Sequence, residues 1–593
     1  MRRSDSQAHA GKGRRAAPTA ARRNPYNQAV VHTLSSLQLR RVTRAAAALG
    51  LFVVLAVTST VTLRGQAAPD NGAGLAGVES AAGRGRILLV LPFDNRTGQP
   101  SLEWIREAAP EILGSSFASA GFAPMSRADR LYALDHLGLP QGFHPSRATA
   151  LKLAQTLDAD SIVVGSYVTD GTGIIAEAQV VDVPHLRMSE AVTAHGEMKD
   201  LVEVFDSLAW ELTRQLDPGF SVAKETFVAE GKGVRVDAFE QYIRGITEPD
   251  HEERLRHLNK AVELSPGFAP AWMALGREDY NSQQYEQAAT AFARVVRDEP
   301  QLQGPQAQGT DALEAGFYLG LSLLFSGDYP KAEQAFAGVA RALPLAEVLN
   351  NEGVAVSRQG HDGTGLFRQA VAADANASDY HFNLAVSLKR HGNTVEALAE
   401  LAQCLRLRAG DSEAEALEAE WKEAPGKQAG EADVKADPLE RIARNFDAVA
   451  FRQAAQMLDQ VDEARLTALP PEQRAEKLAG QARDFLDRGL LLEAERLYQT
   501  ALASDDRVAA VHAGLAEVRE RSGDNDNARK EARTSLELMP SVQAYLVMGR
   551  LDLVAGHMDQ ASYDVAEGLR IEPGNKTLLE LRALIEAREG QKK

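Results

Sequence analysis

Residues 271–300 read AWMALGREDYNSQQYEQAATAFARVVRDEP, and their spacing decides the fold. Gly276 is followed by Ala288 twelve positions on, Phe292 four beyond that, and Pro300 eight beyond again. A small residue lets two helix backbones approach, an aromatic ring fills the space between them, and proline stops the second helix. The frame recurs as Gly320, Ala332, Phe336, Pro344 and as Gly549, Ala561, Val565, Pro573. Weaker copies run Ala385, Ala397, Leu401, Ala409; Ala482, Ala494, Tyr498, Asp506; and Ala516, Ala528, Ala532, Pro540. Pro266 and Pro300 stand 34 residues apart, as do Asp506 and Pro540. With a shortened copy over 350–375 and a degenerate first copy over 237–266, the frame counts eight helix pairs.

Trp272, Leu275, Gly276, Tyr280, Ala288, Phe292 and Pro300 together resemble the tetratricopeptide repeat (TPR). The resemblance implies an all-α superhelical solenoid that binds partner proteins or peptide segments, with the first helix of each copy facing a concave groove. On those helices the groove candidates are Met273, Arg277 and Tyr280; Phe317, Leu321 and Leu324; Asn350 and Asn351; and Phe382, Asn383, Val386, Lys389 and Arg390. In later copies they are Arg483, Glu517, Leu546 and Arg550. Asn383 with Lys389 and Arg390 resembles a clamp for a peptide carboxylate. Polar residues 301–311 interrupt two good copies, and the charged stretch 421–438, broken by Pro425, Gly426 and Gly430, divides array one (237–420) from array two (439–593). Residues 441–468 read as helix outside the frame, and 576–588 as a charged helix closing the open end.

Ahead of the repeats, 86–217 reads as a small α/β (α+β) domain. RILLVLP at 86–92 is a continuous apolar run of strand length, as expected for a strand buried on both faces. Helical periodicity follows over 102–120 with Ser101 as cap, then a short strand at 122–126 and helices at 129–137 and 146–157. Strands at 161–169 and 174–183 flank Asp170-Gly171-Thr172-Gly173, which is hairpin turn chemistry; a third strand at 187–196 precedes a helix at 201–216. Val90-Leu91-Pro92-Phe93-Asp94-Asn95-Arg96-Thr97-Gly98, then 150–159 and Asp160-Ser161-Ile162-Val163-Val164-Gly165-Ser166, resemble the amino-terminal domain of the TolB family. That resemblance implies an interaction module without catalytic residues. No propeller follows: nothing downstream has strands at blade spacing.

Residues 45–63 (AAAALGLFVVLAVTSTVTL) carry no charge and reach about 28 Å as a helix, close to a hydrocarbon core of roughly 30 Å. Residues 1–44 hold ten Lys/Arg against the single acid Asp5. The lysine and arginine bias predicts an uncleaved single-pass signal anchor in the inner membrane, with a disordered cytoplasmic tail and a periplasmic body. The Gly/Ala-rich linker 64–85 contains a formal dinucleotide fingerprint, Gly72-Ala73-Gly74-Leu75-Ala76-Gly77, but it precedes a strand where the chemistry needs it to follow one.

Over 593 residues, 82 Asp plus Glu against 65 Lys plus Arg give a formal charge of −17, which argues against nucleic acid as partner of the folded body. One cysteine, Cys404, forms no internal disulfide, and the 13 histidines show no pair at ligand spacing; in His251-Glu252-Glu253-Arg254-Leu255 a leucine holds the second ligand position. No nucleophile motif, metal set or phosphate loop emerges, so no cofactor and no small-molecule substrate are expected. The reading is a membrane-tethered, non-enzymatic scaffold. The alternatives are an envelope sensor relaying through the α/β module, or an enzyme with an unrecognised nucleotide or hydrolytic site.

Overall fold

A computed structural model describes residues 87–140, 142, 145–229, 231, 233–298, 310–423, 439–446 and 461–591. The expected tail, membrane segment and linker, and most of the 301–311 insert and of 421–438, lie outside them. Among the described residues no helix is long and apolar enough to cross a membrane.

The first part is a seven-stranded mixed sheet with helices on both faces. Strands β1 (Ile87–Val90), β2 (Asp94–Asn95), β3 (Ala123–Pro124), β4 (Ser161–Asp170), β5 (Gly173–Asp182), β6 (Arg187–Met188) and β7 (Val192–Glu197) run in the order β3-β1-β4-β5-β6, with β2 on β4 and β7 on β5. β1 pairs parallel with β3 and β4, whereas β4 and β5 form an antiparallel hairpin from Ser161↔Asp182 to Asp170↔Gly173. Gly171 closes that hairpin at φ +86°, a conformation L side chains rarely adopt. The apolar run of β1 serves two cores. Leu88 and Val90 face α1 (Ile105–Ser119) and α4 (Leu201–Leu216), while Leu89 and Leu91 pack with α2 (Arg127–His136) and α3 (Arg147–Thr156). Two sequence expectations are corrected. Residues 100–102 form a 3-10 turn and α1 begins after Trp104, so Ser101 does not cap it. The third strand is split into β6 and β7, because residues 189–191 stand opposite only Gln179 and Val180, and the Ser189 hydroxyl accepts the Val180 N–H where the register shifts.

After α5 (Lys224–Ala229), eight antiparallel helix pairs follow among the described residues. The first five are α6/α7 (Val236–Thr247, His251–Leu264), α8/α9 (Ala269–Asn281, Tyr285–Asp298), α10/α11 (Thr310–Phe325, Tyr329–Ala342), α12/α13 (Ala346–Arg358, Thr364–Ala373) and α14/α15 (Ser378–Arg390, Thr394–Leu407), closed by α16 (Ser412–Glu423). The last three are α17/α18 (Pro471–Asp487, Leu491–Ser504), α19/α20 (Ala509–Ser522, Asn525–Leu538) and α21/α22 (Val542–Ala555, Met558–Ile571), followed by α23 (Lys576–Gln591).

In the three pairs that carry both, the repeated glycine faces the repeated aromatic. A Cβ on Gly276, Gly320 or Gly353 would lie 2.8, 2.7 and 2.8 Å from the rings of Phe292, Phe336 and Phe367, all fully buried. The spacing is thus a packing rule: the ring occupies the volume a side chain would fill. The α/β part is continuous with this stack. Its core includes Phe239, Tyr242 and Ile243 of α6 and also Leu492 of α18, and α5 lies on the later array, where Glu495 accepts the Ala223 N–H at 3.2 Å and Thr226 bonds Ser522 at 3.1 Å.

Candidate functional site

The first helices of consecutive pairs, α10, α12 and α14, line one face of the earlier array, and residues 439–446 lie along it without regular secondary structure. Here the expectation of helix from 441 onward is corrected: 441–446 is non-helical, and helix is described only from 461. The reason is that array side chains take the segment's backbone groups. Asn351 accepts the Ala443 N–H at 2.9 Å and donates to its carbonyl at 2.8 Å. Asn350 donates to the Arg441 carbonyl at 3.0 Å, and Asn383 links to Asn350 at 2.7 Å while binding Arg441 itself. Residues 441 and 443 alternate in being bound on both their N–H and C=O groups, as at the edge of a β-strand. The three carboxamides, all fully buried, stand in for the neighbouring strand.

Side-chain pockets flank this ladder. The Arg441 guanidinium lies 3.6 Å over the Phe382 ring and meets Asp379 at 3.0 Å, Asp411 at 2.7 Å and Glu413 at 2.9 Å. Burial works against that charge, but these bonds outweigh it and hold Arg441 above its ordinary pKa, while the same contact depresses Asp411. Glu440 is buried with one carboxylate oxygen on Ser357 (2.6 Å) and Arg390, and its other oxygen has no partner. Leu439 and Ile442 pack on the array's apolar core, Arg444 lies 5.0 Å over Phe325, and the Phe446 ring is 5.5 Å from Phe317.

Against the sequence candidates, Asn350, Asn351, Phe382, Asn383 and Arg390 converge on the segment, and Phe317 meets its far end. In the expected clamp Arg390 holds a carboxylate, and it is a side chain's, that of Glu440; Lys389 reaches Thr394 at 3.2 Å and lies over Trp421. Leu321, Leu324 and Val386 are buried in the core of the same array and Met273 in that of the preceding pair, because both sides of these helices are covered by neighbouring helices. Arg277 pairs with Glu314, and Tyr280 packs among Tyr285, Tyr318 and Phe325. In the later array Arg483 and Arg521 both bind Glu517, Arg550 binds Glu520, and Leu546 packs beside α22 and α23. Burial raises the Glu517 carboxyl, yet the two arginines leave it net depressed, so this face is neutralised from within.

Asp379, Asp411, Glu413, Ser357, Glu440 and Arg441 were not legible as site residues. The one available signal was the adjacent pair Asn350-Asn351 in mid-helix, where asparagine is a poor former. Among the described residues no group of three or more His, Cys, Asp or Glu is placed to hold a metal ion.

This geometry, with its stacked helix pairs and lined face, is that of a repeat solenoid. The tetratricopeptide repeat family model matches residues 273–347 and 480–541, so the chain carries tetratricopeptide repeats, which generally serve as protein-interaction scaffolds. No curated protein matches the chain. Among solved structures it is similar to MamA at 14% identity and TM-score 0.26, over 29% of this chain and 96% of that one. It is similar to YrrB, a TPR protein with an unusual peptide-binding site, at 15% identity and TM-score 0.26, over 36% and 99%. It is also similar to the LpoB C-terminal domain from Escherichia coli, at 22% identity and TM-score 0.18, over 19% and 84%.

Proposed function

We propose that this chain is a membrane-tethered, non-enzymatic scaffold whose earlier array receives extended segments of partner proteins. One observation carries the reading: three buried asparagines on consecutive first helices grip an extended backbone by its N–H and C=O groups. Backbone capture of this kind suits any extended chain, and the flanking pockets add sequence selection. The membrane tether rests on the uncharged stretch 45–63 and its basic flank, which favour a cytoplasmic tail and a periplasmic body. The TolB-like reading of the α/β part rests on the 90–98 and 160–166 motifs and supplies a second interaction surface.

Photo-crosslinking tests the reading. A crosslinker at Tyr280 or Phe325, beside the groove, captures partner proteins, and Ala at Asn350, Asn351 and Asn383 removes those adducts. Val395, 86% exposed on α15, is the control position; equal capture there would refute the groove. Deleting 45–63 should release the chain from carbonate-washed membranes.

A further inference from the structure

We infer that residues 439–446, Leu-Glu-Arg-Ile-Ala-Arg-Asn-Phe, are a tethered ligand of this chain's own groove. The groove's external partner is then an extended peptide with the same chemistry: an acid followed by arginine and an aliphatic residue, with an aromatic residue four places beyond the aliphatic one. The inference rests on the peptide-receptor reading above and adds the occupant and its selectivity.

Four observations point this way. The segment joins neither a helix nor the sheet, and the backbone of Arg441 and Ala443 is held by side chains alone. Its side chains enter separate pockets of opposite character. Glu440 meets Arg390 and Ser357, Arg441 meets three carboxylates and an aromatic face, and Ile442 and Phe446 meet the apolar core. The fit is imperfect: one Glu440 oxygen is buried without a partner, which lowers the cost of releasing the segment to water. Finally, most groups that grip the segment are carboxamides, carboxylates and a guanidinium, which water satisfies when the groove is open. A segment joined to its own groove competes at an effective concentration on the order of millimolar, so an incoming peptide meets a receptor that is open only a fraction of the time. The array is thereby selective for partners that bind well enough to displace the built-in occupant.

The test compares the full chain with a variant in which 439–446 is replaced by eight alternating Gly and Ser residues. Two probes are used: a labelled, end-blocked peptide of the 439–446 sequence and a degenerate octapeptide library. The inference expects the variant to bind the labelled peptide at least tenfold more tightly than the unaltered chain, and Asn383→Ala within the variant to abolish that binding. Arg441→Glu in the otherwise unaltered chain, which sets a fifth negative group among Asp379, Asp411 and Glu413 with Glu440 adjacent, should shift affinity the same way. It carries the test if the replacement does not fold. No gain in either variant overturns the inference, as does loss of cooperative unfolding in both, which would make the segment part of the array's fold. If the variant binds library peptides but not 439–446, the tethered ligand falls while the receptor stands. If it binds neither, both fall.

Discussion

Asn383 holds Arg441 by both halves of its backbone: its carboxamide oxygen accepts the Arg441 N–H at 2.7 Å and its nitrogen donates to the Arg441 carbonyl at 2.7 Å. Asparagine is the shortest side chain with a donor and an acceptor arranged like a peptide group, which is why it can replace a strand here. Asn383→Ala removes both bonds from a buried site and should cost array one about 1–3 kcal/mol. Hydrogen exchange at the Arg441 amide is the direct readout: it should accelerate in this variant, while Asn351→Ala should accelerate Ala443 instead. Unchanged exchange at Arg441 would show that the bond does not hold the segment.

The glycine–aromatic pairs predict opposite outcomes for the same substitution. Gly320→Ala drives a methyl to 2.7 Å from Phe336 and should destabilise by roughly 1–3 kcal/mol despite alanine's better helix propensity. Gly338→Ala meets nothing nearer than 4.0 Å and should be neutral or stabilising by up to about 1 kcal/mol. Chemical denaturation of the two variants distinguishes packing from propensity.

Two histidines occupy equivalent places in different repeats. His381 contacts Glu400 at 2.5 Å and the Ala375 carbonyl at 3.1 Å, and His512 contacts Glu531 at 2.7 Å and the Asp506 carbonyl at 2.7 Å. Each ring faces two acceptors, so both nitrogens donate only in the imidazolium form. Burial opposes that charge at His381, but Glu400 and the carbonyl prevail; at His512 the Glu531 bond leads, and both are raised above the ordinary 6.5. Their contribution is therefore complete below pH 6.5 and is lost as pH rises through the elevated values. His381→Gln with His512→Gln should flatten the fall in melting temperature above neutrality, and ring titration by NMR locates the window.

Asp206 in the α/β part titrates with a similar sign for another reason. Burial raises it to about 7, and it bonds Ser116 at 2.6 Å. The Ser116 hydroxyl also reaches the Ile112 carbonyl at 2.9 Å, and its single proton serves both contacts only if Asp206 is protonated and donates. The carboxyl favours the fold fully below its ordinary 3.8, and that advantage disappears as pH climbs through about 7. Asp206→Asn should raise the melting temperature at pH 8 relative to the unaltered chain and change it least at pH 5. Equal effects at both values would refute the assignment.

The repeat was legible because its rule is local: Gly276 and Phe292 lie sixteen residues apart and meet across one turn. The same holds for the β4–β5 hairpin, set by Gly171, and for α4, whose apolar stripe fills one face. The ladder's far side was not legible. Arg-Ile-Ala-Arg at 441–444 has good helix formers, and the sequence predicts helix from 441, but contacts 58 and 92 residues away override propensity. Periodicity also cannot separate a first-helix residue that lines the groove, such as Asn350, from one that merely packs, such as Leu321. Both lie on first helices and both are fully buried.

The α5 contact has a consequence for how the polypeptide is made. Thr226 and Ser522 are separated by 296 residues, and ribosomes add roughly 5–20 residues per second. Thr226 of α5 therefore waits on the order of 15–60 s before its partner on the later array is synthesised. For that interval the face of α5 that meets the later array has no partner to cover it.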